Sequence, residues 1–337
     1  MSKKWTNFTT LLVLTIFLIM FTAMISINAG YIHIPLDELL ATLLGNGTNE
    51  HELTIFQFRL PRIFMAILVG MGISLSGAIL QGVSQNPLAD PGILGINSGA
   101  GLAVVLYMFF FEGTAFFNGW ASVYVMPLTA LAGAFFAAFL IYALSLKHGR
   151  VTPIRLLLMG IGINGAFQAA LIIFQLKMEP SDFTKALTWL SGSIWGANWN
   201  FVWALLPWLL LLIPVALYKS RVLDILLLGD SPAMGVGVHV ERERKLLLII
   251  AVTLAGVSVS VGGGITFLGL IAPHITRRLV GSKHSHCLPL TAALGAFILL
   301  SADTLGRVIM APSELPVGII VSILGAPYFI YLLIKTL

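Results

Sequence analysis

Apolar residues run along this chain mostly in blocks of about 20, each long enough to cross a hydrocarbon core of about 30 Å as a helix. The pattern predicts ten spans, at 8–28, 62–84, 93–111, 121–145, 153–175, 199–218, 246–263, 266–279, 288–306 and 315–334. The eighth carries Pro273 and is short enough to be a half-span. The blocks are continuous rather than alternating, which argues against a transmembrane β-barrel. No intervening stretch is polar enough for a separate soluble domain. The expectation is an all-α polytopic membrane protein in which residues 1–337 form one membrane domain.

Composition agrees. The chain is 58% hydrophobic and 10% charged, where a soluble domain carries about 25% charge. The net charge of +5 is not a nucleic-acid signature, because no basic face interleaved with aromatics occurs. The single Cys287 excludes an intrachain disulfide framework and a CxxC site. Ser2-Lys3-Lys4-Trp5 ahead of Leu11–Ile27 imitates a signal peptide, but the apolar run is longer than a typical h-region, so an uncleaved first span is expected.

Lys and Arg assign the sides. With the N-terminus in the cytoplasm, the loops Gln85–Gly92, Lys147–Thr152, Lys219–Lys245 and Arg277–His286 fall inside. They carry Lys147, Arg150, Lys219, Arg221, Arg242, Arg244, Lys245, Arg277, Arg278 and Lys283; Lys3, Lys4 and Lys335 join them at the termini. This is a positive-inside distribution with both termini cytoplasmic. Arg59, Arg62, Lys177, Lys185 and Arg307 are left outside. Lys177 and Lys185 share a mixed-charge loop with Glu179 and Asp182. Arg59 and Arg62 open an apolar stretch with no further charge until Asp90. In the first turn of a span they would oppose the helix dipole at a cost of a few tenths to about 1 kcal/mol, so something other than helix stability should hold them.

Several motifs are coincidental. Gly160-Ile161-Gly162-Ile163-Asn164-Gly165 matches GxGxxG but lies inside an apolar span, where close helix packing through small residues is the better reading. Leu190-Ser191-Gly192-Ser193 has the form of an ATPase signature loop on the wrong side, and no GxxxxGK[ST] occurs. His284-Ser285-His286-Cys287 lacks metal-ligand spacing and reads as a solvated basic turn. No convergent nucleophile, base and metal set suggests catalysis.

Four stretches break the apolar pattern without a packing reason. Gln81–Pro91 is a tight turn with Asn86, Pro87 and Pro91, and with Asp90 as a candidate helix cap. Leu226–Val238 places Asp230 or Ser231 to cap a short helix with Pro232 in its first turn; Gly235 and Gly237 end it within about two turns. Such a helix, with Leu228, Gly229 and Ala233 around it, suits docking into a cleft on another protein. Gly262–Arg277 implies broken backbone at membrane depth, tolerated only where buried in protein or lining a cavity; His274 beside Pro273 reads as a hydrogen-bonding structural residue rather than a proton carrier. Ser301–Arg307 sets Asp303 four residues before Arg307, the favourable order for an ion pair on one face.

Taken in order, R-L-P-R, N-P-L-A-D-P, W-L-S-G-S, L-G-D-S-P-A, G-L-I-A-P-H-I-T-R, A-D-T-L-G-R, E-L-P-V-G and L-G-A-P make the chain resemble, from Arg59 to Leu333, the FecCD-type permeases that import iron-siderophores, haem and vitamin B12. The resemblance implies the type II ABC importer architecture in the bacterial cytoplasmic membrane. It further implies a second permease subunit, identical or homologous, two ATPase subunits that bind ATP and Mg, and an extracytoplasmic substrate-binding protein. On that likeness residues 222–244 form the segment coupled to the ATPase, through Leu228, Gly229, Asp230, Ser231, Pro232, Ala233, Gly235 and Gly237. Arg59, Arg62 and Arg307 match positions that meet acidic residues of the binding protein. Asn86, Pro87, Asp90, Pro91, Pro273, His274 and Arg277 carry structural motifs. The implied function is import of an iron chelate by a subunit that has no cofactor and no ATPase site of its own. Vitamin B12 or haem are the alternative cargoes. An ion-coupled transporter would need embedded acidic residues, of which Asp303 is nearly the only candidate.

Overall fold

The computed structural model describes residues 2–30, 34–92, 94–111, 122–147, 150–310 and 313–336. Ile93 and Ala121, where the third and fourth spans are expected to begin, lie outside the described residues, as do the side chains of Lys3, Lys4, Arg150 and Lys335. The elements begin with α1 (Ser2–Asn28), α2 (Leu36–Leu43), α3 (Asn49–Glu52), a π-helical segment (Leu53–Arg59), α4 (Leu60–Val83), α5 (Ile96–Phe111) and α6 (Ser122–Ser145). A two-residue hairpin of β1 (Leu146–Lys147) and β2 (Arg150–Val151) leads into α7 (Pro153–Gln175), α8 (Pro180–Leu190), α9 (Trp199–Tyr218), α10 (Ser220–Leu226) and α11 (Asp230–Gly235). The chain ends with α12 (Val240–Gly262), α13 (Leu268–Val280), α14 (His284–Ile309) and α15 (Val317–Thr336).

Among the described residues, 7 helices are long and apolar enough to cross a membrane, and Ile96–Phe111 and Val317–Tyr331 are shorter apolar helices. The helix carrying Pro273 has 13 residues, as a half-span requires. Each of the ten predicted spans therefore has a helix.

Burial separates a centre from a periphery. In the apolar 18-residue stretch within Asn49–Val83, 83% of the residues are buried, and 78% in that within Val240–Gly262, against 11% within Phe8–Asn28 and 17% within Pro153–Gln175. The central helices approach through glycine, because helices in lipid associate by close van der Waals packing rather than by hydrophobic exclusion. A Cβ on Gly77 of α4 would lie 1.9 Å from the Gly269 carbonyl oxygen of α13. One on Gly70 would lie 2.5 Å from the Gly295 oxygen of α14. The Gly160–Gly165 motif packs this way only at Gly160, against Leu94; a Cβ at Gly162 or Gly165 would meet nothing within 4 Å, because that part of α7 faces outward.

The expectation that Arg59 and Arg62 sit in a first helical turn is corrected. α3, the π segment and α4 form one continuous 35-residue run, Asn49–Val83. Its N-cap is Thr48, whose side chain accepts from the His51 amide at 3.4 Å. Both arginines are thus far from the dipole's positive end, whose effect fades within one turn. Pro61 lacks an amide donor and crowds the carbonyl four residues back. The wider π backbone of Leu53–Arg59 lies immediately before it.

The broken backbone predicted after α12 is present and enclosed. Gly263 has φ +70, Gly264 donates to the Trp189 carbonyl at 3.2 Å, and Gly318 donates to that of Gly192 at 2.9 Å. Neighbouring backbone supplies partners to the unwound segment.

Candidate functional site

At one end of the bundle the structure gathers all three outlying arginines. Arg59, Arg62 and Arg307 are 7%, 9% and 6% exposed. Arg62 donates from Nε to Asp303 Oδ1 at 2.9 Å and from Nη1 to Glu314 Oε2 at 2.6 Å. Arg307 Nε lies 3.3 Å from Asp303 Oδ2, the helical pair expected from their spacing. Arg307 also donates to the carbonyls of Ser26 at 3.3 Å and Ala29 at 3.0 Å and to the Ser26 hydroxyl. Arg59 donates to the Ile27 carbonyl. The last carbonyls of a helix have no partner within it and carry its negative partial charge, so Arg59 and Arg307 cap the C-terminus of α1. Burial at this depth requires such partners for an arginine.

The cluster holds three guanidiniums and two carboxylates, and Asp303, 2% exposed, is enclosed by it. Glu314 forms the rim, its side chain 30% exposed. Arg62, Thr188, Ser193, Trp195, Ser313 and Glu314 line a surface depression of about 310 Å³, beside which Trp195 stands 73% exposed. The part of Glu314 and of the α1 carbonyls was not legible in the sequence, although the Asp303–Arg307 spacing was.

The opposite end carries the tight turn and the short capped helix. Asn86 Oδ1 accepts from the Leu88 amide at 2.9 Å, and Asp90 Oδ1 accepts from the Gly92 amide at 2.8 Å. Asp90 therefore closes a turn ahead of α5 instead of capping that helix, which begins only at Ile96. Pro91 is buried while Pro87 is exposed. Gln81 donates to the Gly269 carbonyl at 3.2 Å and accepts from Arg277, and Gln85 donates to the Leu226 carbonyl at 2.7 Å. The turn is thereby fastened to both α13 and α10. Pro273 is buried inside α13. His274 packs edge-on against Tyr328 with ring centroids 5.6 Å apart. Its Nε2 is buried without a hydrogen-bond partner among the described residues.

In the short helix, the N-cap is Gly229 at φ +100, and neither Asp230 nor Ser231 makes a side-chain cap. Asp230 is drawn away by Arg244 of α12, 2% exposed, whose Nη2 lies 2.7 Å from Asp230 Oδ1. A buried cation demands a counter-charge more strongly than a solvated helix end demands a cap. Arg244 also bonds the Val151 carbonyl at 3.0 Å and Glu241 at 3.2 Å. Ala233 is fully buried beneath α11, and Ser231, Pro232, Gly235 and Gly237 are exposed. Leu228, Met234 and Val236 project as exposed apolar side chains around it. Gly237, at φ +85, turns the chain back toward α12.

His284–Cys287 is not a solvated turn. It opens α14 against α10 and α1, which buries His284 to 2% and Cys287 completely. His284 Nδ1 lies 2.7 Å from Asp224 Oδ1, which also accepts from the His284 amide at 2.9 Å. His286 stacks on Phe8. Among the described residues no three His, Cys, Asp or Glu side chains come together to hold a metal.

Between the two ends, Asp90, Asn97, Asn164, Gln168, Gln175 and Thr266 contribute polar groups to a cavity of about 530 Å³ beside α7. The Asn97 and Asn164 side-chain oxygens are buried there without a hydrogen-bond partner among the described residues.

A bundle of about ten apolar helices, with an ionic cluster at one end and an exposed short helix at the other, defines a multi-pass α-helical membrane protein. The chain belongs to the FecCD transport family, whose family model matches residues 17–335. It is 55% identical over 321 residues to the iron(3+)-hydroxamate import system permease protein FhuG of Bacillus subtilis, covering 95% of each chain. It is 41% identical to the iron-uptake system permease protein FeuC of the same organism, over 99% of this chain and 98% of that one. With the Fe(3+) dicitrate transport system permease protein FecD of Escherichia coli it shares 36% identity over 93% and 94% of the two chains. A solved chain assigned to the metal-chelate type of ABC transporter, in an inward-facing conformation, superposes with a TM-score of 0.82 at 29% identity, covering 97% of this chain and 99% of that one.

Proposed function

We propose that this chain is the membrane permease subunit of an ABC importer that carries an iron(3+)-hydroxamate or closely related iron chelate across a bacterial cytoplasmic membrane. The observation that carries the reading is the 55% identity, over 95% of both chains, to a permease of iron(3+)-hydroxamate import. The whole of residues 1–337 acts as one membrane domain, with both termini in the cytoplasm. It works with a second permease subunit and two ATPase subunits that hold ATP and Mg, and it contributes no cofactor or ATPase site of its own. The exposed Leu228, Met234 and Val236 around α11 favour residues 222–244 as the segment that follows the ATPases. Differential contacts in their open and closed states then drive alternating access.

An extracytoplasmic binding protein docks at the arginine end. Its acidic residues meet the field of Arg59, Arg62 and Arg307, where three cations outnumber two carboxylates at short range, and such complementarity sets approach and orientation. The depression containing Arg62, Glu314 and Trp195 offers the contact. The polar wall beside α7 offers hydrogen-bonding groups to a passing chelate.

The test is uptake of radiolabelled ferric hydroxamate, ferric citrate and vitamin B12 by cells with and without this chain. Hydroxamate uptake that depends on the chain supports the reading. Uptake unaffected by its loss, or dependence for vitamin B12 alone, overturns it.

A further inference from the structure

A cleft near the end of the molecule that carries α11 has no part in the function described above. Phe135, Ala138, Phe139 and Tyr142 of α6 face Leu248, Ile249 and Val252 of α12 across a cavity of about 240 Å³ whose single charged lining residue is Lys245. This is smaller than the roughly 300–1,000 Å³ of a typical small-molecule site and suits a stretch of acyl chain. Phe139 is 66% exposed and Ile249 50%, so the cleft opens on the molecule's outer surface, while the buried Leu80 of α4 lines its inner side.

Its charged end is unbalanced. Arg242 and Lys245 lie three residues apart on one face of α12, with Ile249 a turn further on, and both are exposed. Lys147 follows the end of α6 and is exposed. Arg155, next to the cleft-lining Leu156, has a buried Nη1 without a hydrogen-bond partner among the described residues. The nearby carboxylates are already engaged: Asp230 and Glu241 by Arg244, at 2.7 and 3.2 Å, and Glu243 by Lys219 at 2.7 Å. Lys245 in the lining of an apolar cleft between membrane helices, with the neighbouring carboxylates engaged elsewhere, is complementary to a phosphate carried on hydrocarbon.

We infer that the α6–α12 cleft is a binding site for an anionic phospholipid, with one acyl chain between Phe139 and Ile249 and the headgroup phosphate held by Lys245 with Lys147, Arg155 and Arg242. The lipid would brace the start of α12, from which Arg244 reaches Asp230, so its headgroup reports on the same end as α11. Such a site lies in the lipid annulus of the protein and is independent of which cargo is imported.

Native mass spectrometry of the purified full-length chain, titrated with phosphatidylglycerol and with phosphatidylcholine of the same acyl chains, tests this directly. Wild type should retain phosphatidylglycerol preferentially. K245Q with R155Q should lower that retention by about fivefold for each cation lost, while R221Q, at the same end of the molecule but outside the cleft, should leave it unchanged. Equal retention of the two lipids by wild type, or an undiminished preference in the double variant, overturns the site. A second measurement guards against misfolding. Cys287 is buried, so a Phe139→Cys variant carries one accessible thiol, and a fluorophore on it should be quenched by brominated phosphatidylglycerol in the otherwise wild-type protein. Disulfide-linked dimers of that variant in native membranes would assign the face to a second copy of the chain and overturn the proposal.

Discussion

Arg62 grips Asp303 with two nitrogens, Nε at 2.9 Å and Nη2 at 2.8 Å from the same Oδ1, joining α4 to α14 across 241 residues of sequence. Arg307 approaches the other carboxylate oxygen. Removing one member of such a buried set leaves the rest uncompensated, whereas replacing the set by apolar residues of similar volume is often tolerated. Asp303→Ala should therefore destabilise the purified protein by about 3–5 kcal/mol, read as a lowered thermal midpoint in detergent. Arg62→Met combined with Asp303→Leu should lose less than Asp303→Ala. A double variant worse than the single one would show that the pair is net stabilising in its own right.

Glu314 separates structure from docking. It neutralises Arg62 from the rim of the depression, so Glu314→Gln exposes a positive charge at modest cost to the fold. If an acidic partner docks there, this variant should bind the substrate-binding protein several-fold tighter at low salt, and the gain should vanish as ionic strength rises. Unchanged or weaker binding, measured by surface plasmon resonance across a salt series, would move the docking face elsewhere.

Ala233 and Asp230 test the other end. Ala233 is fully buried under α11, and a larger side chain there should lift the helix at a cost of about 1–3 kcal/mol. Ala233→Leu and Asp230→Asn should leave ATP hydrolysis by the assembled importer intact while cutting uptake at least tenfold. Transport that remains tightly coupled to hydrolysis would remove α11 from the coupling path.

Gly77 and Gly162 make a matched pair. Gly77→Ala would drive a methyl group into backbone 1.9 Å away, where neither α4 nor α13 can yield easily, so a loss of several degrees in thermal midpoint is expected. Gly162→Ala meets open space and gains helix propensity of roughly 0.5–1 kcal/mol, so it should be neutral or stabilising. Equal effects would contradict the close crossing of α4 on α13.

Much of this was legible because the bilayer imposes it. Blocks of apolar residues marked a helix for each expected span, including the short α13, and glycines at membrane depth marked the enclosed break at 263–267. Local spacing also gave Asp303–Arg307, whose partners lie one turn apart. What failed depends on residues brought from far along the chain. Asp230 has the look of a cap in sequence, but Arg244 outbids the helix end for its carboxylate. His284–Cys287 looks like a polar turn until Asp224 arrives from α10. Arg59 and Arg62 look like the opening of a span only while the polar approach at Asn49–Glu52 is read as a loop. Gly160 and Gly162 differ through a neighbour, Leu94, that no local pattern announces. Except at Arg59 and Arg62, where the helix simply starts earlier, a contact from elsewhere in the chain overrode a sound local expectation.

The uninterrupted run from Asn49 to Val83 has a mechanical consequence. At 1.5 Å per residue a helix of 35 residues is about 50 Å long, far more than a membrane's hydrocarbon thickness. About a third of the way along, Arg59 and Arg62 clasp α1 and α14; at the far end, Gln81 and Gln85 clasp α13 and the chain leading to α11. It is a single stiff lever with two handles, pinned between them by Gly70 and Gly77. A tilt imposed on one handle is a tilt of the other.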